Sequence, residues 1–224
     1  MLSSIVVSAA AQAVPASLDD QVLEFTRRAL LDQAQRSGFI APEVQLSLPA
    51  LRAQRPACPA GWDIGAEDLG RLLRLHVVAR CADGRTPPQD YLLRGTLSAE
   101  VLVVLRGVAP GQPLAEADVE LQRRDISTMP DAVSGLAAVA ELVPRASLRA
   151  GQVLQQRLLQ AQLLVRRGEA VRIVANRDGI DVQAAGEALD SGARGAAVKV
   201  RNSASGRVIV ARVVDAGVVA PADR

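Results

Sequence analysis

The chain has 224 residues, a net charge of +2 and 49% apolar residues, yet only Phe25, Phe39, Trp62 and Tyr91 are aromatic. That is length enough for one or two compact domains with an aliphatic core, and too few rings for a base-stacking platform or an aromatic sugar-binding stack. Arginine dominates the cations, Lys199 being the only lysine, and the near balance of charge implies no nucleic-acid partner.

From Leu2 to Val14 there is no charge, and Ala11-Gln12-Ala13 fits the small-x-small pattern of a signal-peptidase site. The apolar run is shorter than the about 20 residues that a bilayer-spanning helix needs. It reads as an export signal over residues 1–13 that lacks a basic start, the alternative being an apolar tail. No later segment is apolar enough to span a membrane, so the mature chain is expected to be exported and soluble.

Ser17 with Asp20 forms a capping-box pattern, and Leu18, Val22, Phe25, Ala29, Leu30 and Ala34 follow at helical spacing. A helix is predicted from Leu18 to Ser37, ended by Gly38. The period then changes to two. Val44, Leu46 and Leu48 alternate up to Pro49, and Leu73, Leu75, Val77, Ala79 and Cys81 share one face of a second strand. His76 falls on the opposite face with Arg74 and Arg80, a solvent-facing strand histidine with no partners in view. A third strand runs from Tyr91 to Thr96 after turns at Asp83-Gly84 and Pro87-Pro88. Cys58 and Cys81 flank Trp62; in an oxidising compartment they can form one bridge, which would stabilise the fold by roughly 3 kcal/mol. Two buried free thiols are the alternative.

From Glu100 the texture shifts. Val101–Leu105 reads as a short buried strand, Ala115–Asp118 as a helical turn, Val119–Arg123 as a strand, and Leu136–Val143 as a short helix ended by Pro144. Between these lies a phrase that occurs twice, forty residues apart. Val108-Ala109-Pro110-Gly111-Gln112-Pro113-Leu114 and Leu148-Arg149-Ala150-Gly151-Gln152-Val153-Leu154 both reduce to aliphatic-x-x-Gly-Gln-x-Leu. Gly111 and Gly151 supply a left-handed turn, and Leu114 and Leu154 re-enter a buried surface, a pattern that suggests a pseudo-symmetric β scaffold. The last sixty residues alternate as a β-meander, with Asp178-Gly179 as a hairpin turn, Gly192–Gly195 as a loop and Ser203–Gly206 as a further turn.

The chemistry of an enzyme finds little support. One histidine supplies no base for a hydrolytic triad, Gly-x-Ser-x-Gly and the phosphate-binding glycine motifs are absent, and zinc lacks ligands. Asp118 and Asp125 read as solvated turn and strand residues. Arg123-Arg124-Asp125 reads as a solvated strand end or a charged edge for a partner.

The paired loops, with Val101–Val104, Leu121-Gln122-Arg123-Arg124-Asp125-Ile126, Leu164–Val171, Val198-Lys199-Val200-Arg201-Asn202 and Ser205-Gly206-Arg207-Val208, resemble the family of periplasmic chaperones for flagellar P-ring formation. That resemblance covers residues 100 to 219, and Glu141-Leu142 departs from a Gly-Arg pair common in the family. It implies an α+β, mainly β fold: an amino-terminal helix-and-sheet domain over 14–98, a SAF-type β-clip domain over 99–165, and a carboxy-terminal β-meander over 166–224. It implies a non-enzymatic, monomeric chaperone of the periplasm without cofactor or metal, whose client is the P-ring subunit. Such a chaperone needs an exposed edge or apolar groove. The edges beside the two loops, Arg123 and Arg124, and the irregular Met129-Pro130 are the candidate contacts. A carbohydrate-binding SAF module of the cell envelope is the alternative reading; a pilus-assembly relative would keep an uncleaved membrane anchor.

Overall fold

The structure, a computed structural model, describes residues 17–49, 56–177 and 180–222. The expected export signal and the Asp178-Gly179 turn lie outside them. The chain divides into two compact units, one of residues 1–101 with 122–130, the other of 102–121 with 131–224.

The first unit begins with a reciprocal cap. The Ser17 hydroxyl oxygen accepts from the Asp20 N–H, and the Asp20 carboxylate accepts from the Ser17 N–H, both at 3.2 Å. This starts helix α1 (Leu18–Arg36), whose buried residues are Leu18, Val22, Thr26, Leu30 and Ala34. The stripe therefore passes through Thr26, while Phe25 and Ala29 are half-buried at its margin. Thr26 tolerates burial because its hydroxyl donates to the Val22 carbonyl at 2.7 Å. Gly38, at φ 80°, turns the chain out of the helix.

Strands β1 (Ile40–Ser47), β2 (Trp62–Ala66), β3 (Leu75–Cys81) and β4 (Gln89–Val104) form an antiparallel sheet in the order β1-β4-β3-β2. Leu73 is not part of β3. It lies in a 3-10 turn with 63% exposure, and Leu72 is buried in its place. The two strands expected on either side of Glu100 are one. Tyr91, Leu93, Gly95, Leu97, Ala99 and Val101 are buried at every second position of β4, and Leu102 to Val104 are buried on both faces. Nothing at Ser98-Ala99-Glu100 breaks the period, so the strand continues. Tyr91, 1% exposed, donates its hydroxyl to Asp19 at 2.7 Å and joins the sheet to the first turn of α1. Cys58 and Cys81 stand at disulfide geometry, with a Cα separation of 5.8 Å.

β5 (Val119–Asp125) pairs with β4. In the second unit, β6 (Leu142–Pro144) pairs with β7 (Leu159–Ala161). The stretch expected as a helix over Leu136–Val143 is a 3-10 turn, Leu136–Val139, followed by β6. Pairing with β7 overrides the helical composition there. An aliphatic cluster built on Leu102, Val104, Val108, Leu148, Leu154 and Leu159 fills this part. Strand β8 (Leu163–Val165) leads to β9 (Ala170–Arg177), β10 (Ile180–Ala188), β11 (Gly192–Ala193), β12 (Ala197–Asn202), β13 (Val208–Asp215) and β14 (Val218–Pro221). The order β10-β12-β13-β14-β9 closes into a five-stranded barrel, while β11 pairs with β8.

The barrel is narrow, and glycine makes it fit. A Cβ on Gly192 would stand 2.6 Å from Val198 Cγ1 and 3.0 Å from Val213 Cγ2; one on Gly186 would stand 2.7 Å from Val200 Cγ1. Gly192, expected in a loop, is thus a packed strand residue. Gly192→Ala is expected to lower the unfolding free energy by about 1–3 kcal/mol through overpacking, read as a lower urea midpoint. An unchanged midpoint would show that the barrel yields without cost.

Candidate functional site

The two loops of the repeated phrase bond to one another by the same forty-residue offset that the sequence shows. Val108 and Leu148 exchange main-chain hydrogen bonds, at 3.2 and 3.0 Å. The Gly111 N–H donates to the Pro144 carbonyl at 2.9 Å, and Gly151 donates to the Val104 carbonyl at 2.7 Å. The Leu105 N–H reaches the Asp118 carbonyl at 2.8 Å, and Arg145 reaches Leu158 at 2.9 Å. Every residue in one member of each pair lies forty positions from its counterpart. Gly111 and Gly151 sit at φ 76° and 81°, the left-handed region in which a Cβ is strained. The glutamines are structural too: the Gln112 Oε1 accepts from the Ala109 N–H at 3.4 Å and the Gln152 Oε1 from the Arg149 N–H at 3.0 Å. Leu154 is fully buried and Leu114 packs partly buried on the same cluster.

Two of the departures from this symmetry are chemically explicable. Val104 donates its N–H to the Gln152 carbonyl at 2.9 Å, whereas its counterpart Pro144 has no N–H to give. Asp118, counterpart of Leu158, is a carboxylate with 1% exposure, contrary to the solvated position expected for it. It accepts from the Ala115 N–H at 2.9 Å and from the Arg106 guanidinium, whose own side chain is largely exposed. The Ala115 hydrogen bond, then Arg106, hold its carboxyl below the ordinary aspartate range. Burial of a charge in this way is tolerated because it is paired.

The residues named as candidate contacts fall in different settings, all in the first unit. Arg123 is spent on the fold: its guanidinium donates to the Ala41 carbonyl at 3.0 Å and pairs with Glu43 at 3.1 Å. Arg124 is exposed and meets Gln122 at 2.6 Å. The Met129 N–H closes a turn on the Ile126 carbonyl at 2.8 Å. Pro130 borders a cleft of about 90 Å³ that Leu30, Ala34, Phe39, Leu69, Leu97 and Ile126 also line. This apolar cleft, between the end of α1 and the Ile126–Pro130 turn, was not legible as a unit, because its walls come from four separate segments. Ile126, the one aliphatic residue directly after Arg123-Arg124-Asp125, was the available signal.

His76 has partners after all. Its Nδ1 lies 3.1 Å from Glu67 and its Nε2 3.1 Å from Asp90, on the outer face of the sheet. Both carboxylates are remote in sequence, which is why the ring looked isolated. The Glu67 hydrogen bond, which outweighs desolvation and is aided by Asp90, raises its pKa above 6.5. Among the described residues no three His, Cys, Asp or Glu side chains are placed to hold a metal.

These features define a class, a mainly β scaffold of two units that carries a pseudo-symmetric paired-loop module, a small closed barrel and an apolar cleft. Residues 99–220 match the family model described as "Chaperone for flagella basal body P-ring formation", more than half of the chain, and the chain belongs to that family. It is 27% identical over 179 residues, 79% of each chain, to the "Flagella basal body P-ring formation protein FlgA" of Salmonella typhimurium. It is 25% identical over 221 residues to the protein of the same description from Yersinia enterocolitica, covering 97% of this chain and 94% of that one. Its fold matches the crystal structure of Salmonella FlgA in open form with a TM-score of 0.64 at 24% identity, over 88% of this chain and 92% of that one.

A raised histidine pKa stabilises the fold fully below the unfolded value near 6.5 and loses that contribution as pH rises through the folded value. NMR titration of the His76 ring is expected to give a pKa above 6.5, lowered more by Glu67→Gln than by Asp90→Asn. A value at or below 6.5 would remove the ion pairs from the account.

Proposed function

We propose that this chain is an exported assembly chaperone that holds the P-ring subunit of the flagellar basal body in the periplasm until it joins the ring around the rod. The observation that carries the reading is the family match over residues 99–220, together with relatives described as P-ring formation proteins that align along most of their length. The forty-residue pseudo-repeat supports a SAF-type β-clip over 99–165, flanked by the helix-and-sheet part over 14–98 and the meander over 166–224. The facing cysteines suit an oxidising compartment, and closing that loop contributes about 3 kcal/mol in the chain-entropy model. No helix among the described residues is long and apolar enough to cross a membrane.

A chaperone must bind incompletely assembled surface and then release it, which favours modest apolar contacts over a deep pocket. The cleft beside Pro130 offers such a contact, and Arg124, bonded to Gln122, is exposed on the strand that precedes it. Arg123 contributes by fixing β1.

Deletion of the gene is expected to yield basal bodies without P rings in electron micrographs and non-motile cells. Wild-type complementation restores both, and Cys81→Ser restores them less well at elevated temperature. Intact P rings in the deletion strain would end the chaperone reading.

A further inference from the structure

The path β1-β4-β3-β2 ends in two edge strands that meet solvent differently. β1 is guarded. Its register shifts between Ile40 and Glu43, it carries Pro42, Ala41 is held at φ 46°, and the Ala41 carbonyl accepts from Arg123 at 3.0 Å. A bulge, a proline and a capped carbonyl are devices that keep an edge from recruiting another strand.

β2 has none of them. Trp62-Asp63-Ile64-Gly65-Ala66 contains no proline and no cation, and no described strand pairs with its outer side. The Ala82 N–H donates to the Gly61 carbonyl at 3.0 Å and the Glu67 N–H to the His76 carbonyl at 3.3 Å. Residues 61, 63, 65 and 67 therefore face β3, and by antiparallel alternation the N–H and C=O groups of Trp62, Ile64 and Ala66 point out of the sheet. The side chains of these three share a face with Val77, Ala79 and Cys81, all buried. It is the face on which Tyr91 joins α1. An added strand would extend both the hydrogen-bond ladder and the apolar layer.

Resting on the chaperone reading, we propose that β2 is the client-docking edge: an extended segment of the P-ring subunit adds beside Trp62–Ala66. Its aliphatic side chains alternate on the α1 side, and its polar or basic ones lie on the other. Charge selects this occupant over a second copy of the chain. Asp63 and Glu67 lie on the outer face at the edge itself, while Arg80 and His76, the latter bonded to Glu67, sit one strand further in. Two β2 edges brought together would set these carboxylates against each other, and a basic client strand meets opposite charge. The edge thus belongs to the first unit, whereas strand addition was first expected beside the paired loops of the second.

Residue-resolved hydrogen exchange of the full chain, with and without purified P-ring subunit, tests this. Exchange at Trp62, Ile64 and Ala66 is expected to slow on the order of tenfold or more on binding, with Asp63 and Gly65, already bonded to β3, unchanged. Ile64→Pro removes an outward N–H and leaves the ladder to β3 in place. It is expected to weaken client binding about tenfold relative to Ile64→Ala. Should Ile64→Pro fail to fold, the alternating exchange pattern decides. Client binding with no change at the three amides, or equal affinity of the two variants, overturns the edge proposal alone. Self-association through β2 overturns the choice of occupant. No binding of the P-ring subunit by the wild-type chain overturns the chaperone reading and the edge with it.

Discussion

The reciprocal main-chain bonding of Val108 with Leu148 is the constraint on which the paired-loop module depends. Once those two residues exchange hydrogen bonds, each glycine loop is placed to donate across to the strand that precedes the other. The left-handed glycines make the reversal sterically allowed, and the glutamines close each loop from within. Leu154 and Leu114 then have one surface to enter, shared by Leu102, Val104 and Leu159. Local turn chemistry, register and core burial all require the same arrangement, which is the consistency expected of a well-specified fold.

Departures from symmetry carry information because the symmetric background is so regular. Pro144 cannot repeat the hydrogen bond of Val104, and Asp118 replaces a leucine with a buried carboxylate held by Ala115 and Arg106. The second half of the module is closed by apolar packing and the first by an ion pair. The barrel relies on a third device, glycines at Gly186 and Gly192 that let aliphatic side chains approach the backbone closely. None of these cores uses a large aromatic residue, as the composition anticipates.

What the residues disclosed in advance was local. Ser17 with Asp20 declares the start of α1, alternation declares β3 and much of the meander, and the repeated Gly-Gln-x-Leu declares a duplicated loop. What stayed hidden depended on partners distant in the chain. Thr26 reads as polar until its hydroxyl is seen to bond Val22. The Leu136–Val143 segment has a helical composition, but only Leu136–Val139 turns, while Leu142 and Val143 pair with β7. Asp118 and His76 look solvated until Arg106, Glu67 and Asp90 arrive from other elements. The cleft by Pro130 draws on four segments, and no single one announces it. The resemblance to P-ring chaperones, carried by the loops and by Val200-Arg201-Asn202 at the end of β12, pointed to a family that the comparisons then established.

The functional account rests on one event, a specific complex between this chain and the P-ring subunit before the ring is built. Size-exclusion chromatography with light scattering on the two purified oxidised proteins measures it directly. The account predicts a soluble one-to-one complex that keeps the subunit from self-association. Separate elution of the two proteins, with the subunit assembling or precipitating as fast as it does alone, would contradict it.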